Sequence, residues 1–289
     1  VRARLGVGAP DAVRAPLRTE LVDAARWHRV AGAVHATLTE GPGGPHAPAT
    51  DDPDASVTVR RILGDHVRGL RARHAAGLAT LGAIGPQLDE VGRWAVLKGP
   101  VLRAQQVRIG PREVGDLDLL VDPEDLPGHL ERLGAAGWAP EERNWRLLAR
   151  HPIGQLHLRP RDGATRRIAP ELDLHWDLVH DPAVRRHLGV PTRELLAAVR
   201  PVRLGEVVVP ALAPEDVAVH VALHATLGGG QHLGWYVDLH CALEAAGLEV
   251  RDLLERAEAL GVRLPVAVAA RRCVALLGGP GDDGAAVDH

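Results

Sequence analysis

Phenylalanine and methionine are absent from the 289 residues, and tyrosine, serine, asparagine and lysine occur once each, as Tyr236, Ser56, Asn144 and Lys98. Each scarcity excludes something. Without Phe or Met the core has to be built from Leu, Val and Ala, with six Trp as the large aromatic side chains. A serine hydrolase would have to use Ser56, which borders a Pro-rich stretch and lacks the glycine-flanked context of a nucleophile elbow. A Walker-type phosphate loop would have to use Lys98, but Gly99 and Pro100 follow it instead of a hydroxyl residue. Cys241 and Cys273 allow at most one disulfide and are expected as small buried residues of C-terminal helices. No run approaches the roughly 20 apolar residues of a membrane span. The stretch from Val1 to Leu5 has no continuous apolar segment of the secretory kind. The expectation is a cytoplasmic protein without membrane association.

The chain carries 34 basic and 37 acidic residues, a net charge of −3, so no basic excess points to nucleic acid as a partner. With 46% hydrophobic and 25% charged residues it is a soluble globular chain, long enough for one large domain or two of ordinary size. Apart from Lys98, every basic residue other than histidine is Arg. That bias towards Arg, Ala, Gly and Pro reflects base composition more than function, and the sixteen His are discounted on the same ground.

Three regions separate by periodicity. Residues 1–92 read as helical, with apolar spacings of three and four over 11–40 and again from 57 to 92, the second interrupted at Gly85 and Pro86. A Gly/Pro-rich linker, 41–54, divides them. Residues 93–182 change period and form an α/β core. It has strands at 94–97, 116–121, 153–159 and 168–178, and helices over 101–107 and 124–136. Residues 183–277 return to helix after a small strand pair within 202–209, with helices near 215–227, 233–246, 249–260 and 264–277. The tail, 278–289, is expected to be disordered. The fold class is thus α/β of the α+β kind: a small mixed sheet flanked by N-terminal helices and a C-terminal helical domain.

The informative strand runs from Gly115 to Val121. Side chains alternate along a strand, so Asp116 and Asp118 project to one face while Leu117, Leu119 and Val121 take the other. Two adjacent carboxylates repel unless a cation lies between them, and a hard, oxygen-preferring ion such as Mg²⁺ suits that arrangement. A solvated acidic edge is the alternative, and the pair alone does not decide. A second alternating stretch puts Glu171, Asp173, His175 and Asp177 on one face. If the two strands are neighbours, Asp173 adds a third carboxylate, the donor set of a two-metal phosphoryl-transfer centre.

These residues carry a resemblance. Leu97, Lys98 and Gly99, then Arg112 with Gly115, Asp116 and Asp118, then Leu172 to Trp176, are similar to the uncharacterised nucleotidyltransferase-like proteins of the polymerase-β-type nucleotidyltransferase superfamily. The helix around His28 and the later run of Pro214, Asp216, His220, His224, Trp235 and Asp238 resemble its flanking helices. The resemblance implies a magnesium-dependent, ATP-binding nucleotidyltransferase. It would move a nucleoside monophosphate from an NTP, ATP first among them, to a hydroxyl of a small-molecule, peptide or protein acceptor, with release of pyrophosphate. It implies two Mg²⁺ ions, held by Asp116, Asp118 and Asp173 as catalytic metal ligands. Lys98, Gly99, Arg112 and Gly115 would bind the nucleotide, and His175 would contact substrate or a metal-bound water.

Two other readings stand beside it. Pro100 occupies the place where the superfamily has Gly or Ser, which removes one phosphate-binding N–H and points to a non-catalytic nucleotide- or partner-binding member. His220 and His224 one helical turn apart, Asp238 and His240, and the dipeptide His180–Asp181 suggest a metal-dependent phosphohydrolase. The apolar neighbours Val219, Val221 and Leu223 favour packed histidines over ligands.

Overall fold

A computed structural model describes residues 19–39, 53–105, 110–113, 115–141, 154–163 and 169–278. The 41–54 linker, apart from its last two residues, and the tail beyond 278 lie outside these. Helices α1 (Thr19–Trp27), α2 (Ala31–Thr39) and α3 (Pro53–Asp89) precede β1 (Trp94–Val96), α4 (Pro100–Gln105), β2 (Asp116–Val121), α5 (Leu126–Ala135), β3 (Trp138–Pro140), β4 (Gln155–Pro160) and β5 (Glu171–His175). Two short helices follow, α6 (Pro182–Arg185) and α7 (Thr192–Ala197), then a hairpin of β6 (Arg200–Leu204) and β7 (Val207–Ala211). A bundle of α8 (Pro214–Leu227), α9 (Leu233–Ala246), α10 (Val250–Ala259) and α11 (Arg263–Leu277) completes the fold. No described helix is long and apolar enough to cross a membrane.

The seven described strands form one mixed sheet in the order β3-β4-β5-β2-β1-β7-β6. The two acidic strands are neighbours and parallel, with Asp118 opposite Asp173 and Leu120 opposite His175. Alternation then sorts the side chains. Val96, Leu117, Leu119, Leu172 and Leu174 pack on one face against Leu81, Ile84 and Leu88 of α3 and Leu133 of α5. Ala95, Leu97 and Leu120 pack on the other face against the C-terminal bundle. Asp118, Asp173 and His175 share that second face, so the bundle roofs the polar cluster.

Some local expectations differ from the structure. Within its described part, 19–39, the helix read over 11–40 is two helices, because the chain turns at Arg29, which takes a left-handed φ of 56°. Val30 N–H reaches back to Ala25 O and Arg29 N–H to Arg26 O, a helix-ending Schellman turn without its usual glycine. The N-terminus of α9 abuts that turn, with Gly234 N–H donating to His28 O at 2.8 Å. A Cβ on Gly234 would stand 2.8 Å from Arg29 O. Conversely, α3 runs unbroken through Pro86. Proline there forfeits one hydrogen bond in the last turn, while Leu81, Ile84 and Leu88, all fully buried, keep the helix on the sheet.

Candidate functional site

Lys98 and Gly99 form the turn between β1 and α4, and Gly99 has a φ of 49°, a backbone conformation that disfavours any other residue. Pro100 follows as the first residue of α4, a position where its missing N–H has no helical partner to lose. The turn aims Lys98 into the roofed face. Its Nζ lies 3.3 Å from Asp118 Oδ1 and 3.4 Å from His224 Nδ1, the latter contributed by α8. His175 Nε2 lies 3.1 Å from the same Asp118 oxygen. On the far side His157 of β4 holds Asp173 through an Nδ1–Oδ1 contact of 2.7 Å, and Gln155 lies 3.3 Å from the other ring nitrogen of His157.

Asp118, Asp173 and His175 each present a ligand atom within 4.8 Å of the others, and all three are buried. Among the described residues they are the one such group. Asp118 Oδ2 is buried without a hydrogen-bond partner, an acceptor held out of water that a cation would satisfy. Two carboxylates and an imidazole suit a divalent cation of the Mg²⁺, Mn²⁺ or Zn²⁺ kind, the imidazole widening the choice beyond Mg²⁺. Burial works to raise the pKa of Asp118, but the Lys98 ammonium and the His175 contact hold it well below the usual carboxylate range. Asp116 stands outside that triad, half-buried one strand pitch away. Burial, and then the charge of Asp118, push its carboxyl up, against the pull of Lys98 and Arg112.

Arg112 is part-buried and already engaged, with its side chain 12% exposed. Its guanidinium makes a bidentate pair with Asp238 of α9, at 2.8–3.0 Å, and donates to Glu113 O at 3.0 Å. The Glu113 carboxylate meets His66 of α3 at 3.1 Å, so the segment before β2 is tied to both layers. Gly115 is exposed with open space where a Cβ would be. Of the other acidic residues on the Asp173 stretch, Glu171 pairs with Arg159. Asp177 accepts from Arg185 Nε and Val179 N–H.

His224 and His220 lie over the cluster. Burial first, and Lys98 second, push His224 well below its ordinary value, so its Nδ1 is a neutral acceptor for the lysine. The same causes push His220 down to about 3. A histidine neutral in the fold but ionisable when unfolded stabilises the protein above about pH 6.5, and that stability fades as pH falls towards 3. Between about pH 7 and 5 the loss from His220 alone is about 2 kcal/mol. Melting curves across that range check this: His220→Leu should flatten the acid-side loss. The phosphohydrolase set does not assemble, since Asp238 is committed to Arg112 and Asp181 caps α6, accepting from Ala183 N–H at 2.7 Å.

Sequence reasoning did not single out His157 or Gln155, nor the contacts of His224 and Asp238. The β4 alternation exposes Gln155, His157 and Arg159 on one face, a signal present in the sequence. The link from Lys98 to His224 spans 126 residues and leaves no local trace.

No curated protein matches the chain. A solved structure, an antigenic nucleotidyltransferase-like protein from Paracoccidioides brasiliensis, is similar with 12% identity and a TM-score of 0.39, over 69% of this chain and 87% of that one. The family described as "Uncharacterised nucleotidyltransferase" matches residues 18–278, from the start of α1 through the end of the bundle. The chain belongs to that uncharacterised nucleotidyltransferase family.

Proposed function

We propose that the protein is a metal-dependent nucleotidyltransferase. It transfers a nucleoside monophosphate from an NTP, ATP the first candidate, to a hydroxyl of a small-molecule, peptide or protein acceptor. The observation that carries this is the convergence of Asp118, Asp173 and His175 within 4.8 Å, with the buried, unpartnered Asp118 Oδ2, beside the single lysine of the chain. The acceptor oxygen attacks the α-phosphorus, the bond to the β-phosphate breaks, and pyrophosphate leaves. A divalent cation held by Asp118, Asp173 and His175, with Asp116 alongside, would offset phosphate charge and acidify the attacking hydroxyl. The proposed cation is Mg²⁺, with two ions at the cluster.

The chain's own residues supply the rest. Asp173, oriented by His157, receives the hydroxyl proton. Lys98 neutralises Asp118 in the resting site and stabilises the pyrophosphate leaving group in the reacting one. Gly99 brings backbone close to the phosphates, and Arg112, anchored on Asp238, adds positive potential to that wall. Lys98→Arg tests whether a compact ammonium is required in a slot only 10% exposed between Asp118 and His224. The expected result is a fall in kcat of about 10²-fold, roughly 2.7 kcal/mol.

The reaction is tested with NTPs labelled at the α- or γ-phosphate, incubated with Mg²⁺ and an extract as acceptor pool. Transfer of the α label with the γ label leaving as pyrophosphate supports the reading; transfer of the γ label, or no turnover, sinks it. A second reading keeps the site but not the chemistry. Pro100 favours it, because the turn lacks one N–H for the triphosphate. Magnesium-dependent NTP binding without pyrophosphate release would select it.

A further inference from the structure

A cavity of about 390 Å³ opens where α3, α4 and the β6–β7 hairpin meet. It is lined by Arg71 and His74 of α3, Arg103 of α4 and Arg203 of β6, and among the described residues no carboxylate lines it. None of Lys98, Asp116, Asp118 or Asp173 reaches it. Arg71 and His74 are three residues apart, so both look out from the same side of α3. That helix packs on the sheet face opposite the carboxylates.

The three arginines are unlike most of the paired arginines of the chain. Arg112, Arg132, Arg159, Arg185, Arg193 and Arg256 each meet an Asp or Glu. Among the described residues, Arg71, Arg103 and Arg203 form no ion pair, and Arg103 Nη1 is buried with no hydrogen-bond partner. Three cationic side chains facing one space repel one another unless an anion joins them. Guanidinium forks match phosphate oxygens in geometry, and the volume falls within the range of small-ligand pockets.

We infer that this cavity binds the phosphate or pyrophosphate group of a phosphorylated small molecule, at a site separate from the NTP and its metal cluster. The electrostatics agree. Burial, and then the charge of Arg103, push His74 down to about 4, and burial and Arg71 lower Arg103 itself. An anion in the cavity relieves both. Its occupancy would be felt in the catalytic turn through α4, which carries Arg103 and begins at Pro100, directly after Gly99.

Calorimetric titration of the full chain with inorganic pyrophosphate, in EDTA, tests the site without any metal at the carboxylate cluster. One equivalent is expected to bind. Arg103→Gln and Arg203→Gln should each weaken it about tenfold or more, the scale of a lost charge-assisted hydrogen bond. Saturation with Mg²⁺ and a non-hydrolysable ATP analogue should leave it unchanged. Arg203 is exposed, so its variant stays informative if Arg103→Gln folds poorly. Absence of binding at millimolar pyrophosphate overturns the proposal. So does wild-type affinity in Arg203→Gln, or displacement by the ATP analogue. Because no turnover is read, failure here leaves the nucleotidyltransferase reading untouched, and the converse holds.

Discussion

Asp118→Asn is expected to abolish nucleotidyl transfer, by at least about 10³-fold in kcat, or about 4 kcal/mol of transition-state stabilisation. The substitution keeps shape but removes a cation ligand and the countercharge of Lys98. It also has a stability cost that must be separated from the chemistry. Lys98 and Asp118 side chains are 10% and 3% exposed, and removing one partner of so buried a pair strands the other charge. Such losses run to about 3–5 kcal/mol. Adding Lys98→Met to Asp118→Asn should therefore restore much of the melting temperature and none of the activity. Recovery of activity by the double variant would show that the aspartate serves only to neutralise the lysine.

The second large effect lies at Asp238. Its pairing with Arg112 buries both side chains, at 7% and 12% exposure, and joins α9 to the segment that enters β2. Burial alone would lower the pKa of Arg112; the carboxylate beside it more than reverses that. Asp238→Ala leaves a buried guanidinium with one backbone carbonyl for company, and about 3–5 kcal/mol of stability should be lost in urea unfolding. Replacing both residues, as Arg112→Met with Asp238→Leu, should recover most of it, because an apolar pair has no charge to desolvate. The segment has no slack to absorb the change by moving. A Cβ on Gly32 of α2 would stand 1.9 Å from Pro111 O, so backbone is already packed on backbone there. Loss of nucleotide affinity in the double variant despite restored stability would support the part proposed for Arg112 in the phosphate wall.

The core of the candidate site could be read from local pattern. Alternation in β2 and β5 separates Asp118, Asp173 and His175 from the leucines between them, because a strand's faces follow a period of two. Their meeting requires β2 and β5 to be parallel neighbours in register, and neither strand states its partner. The bias against Lys made Lys98 visible, yet its contacts with Asp118 and His224 come from three separate elements. Asp116 shows the limit of alternation: sharing a face with Asp118 does not bring it into the same 4.8 Å cluster, where His175 stands instead. Helix ends were harder still. Arg29 ends α1 in a conformation usually left to glycine, and Pro86, a usual breaker, sits within α3 because tertiary packing outweighs propensity at both places. Strand β3, three residues at the sheet margin, is too short for any periodicity to register.

The proposed reaction requires a cation held by Asp118, Asp173 and His175. Titration with Mn²⁺, followed by electron paramagnetic resonance on protein carrying ¹⁵N-labelled histidine, addresses it most directly. The expected result is binding that shows hyperfine coupling to one histidine, loses that coupling in His175→Ala, and disappears in Asp118→Asn. Binding of equal strength in Asp118→Asn, or no binding with or without NTP, would contradict it.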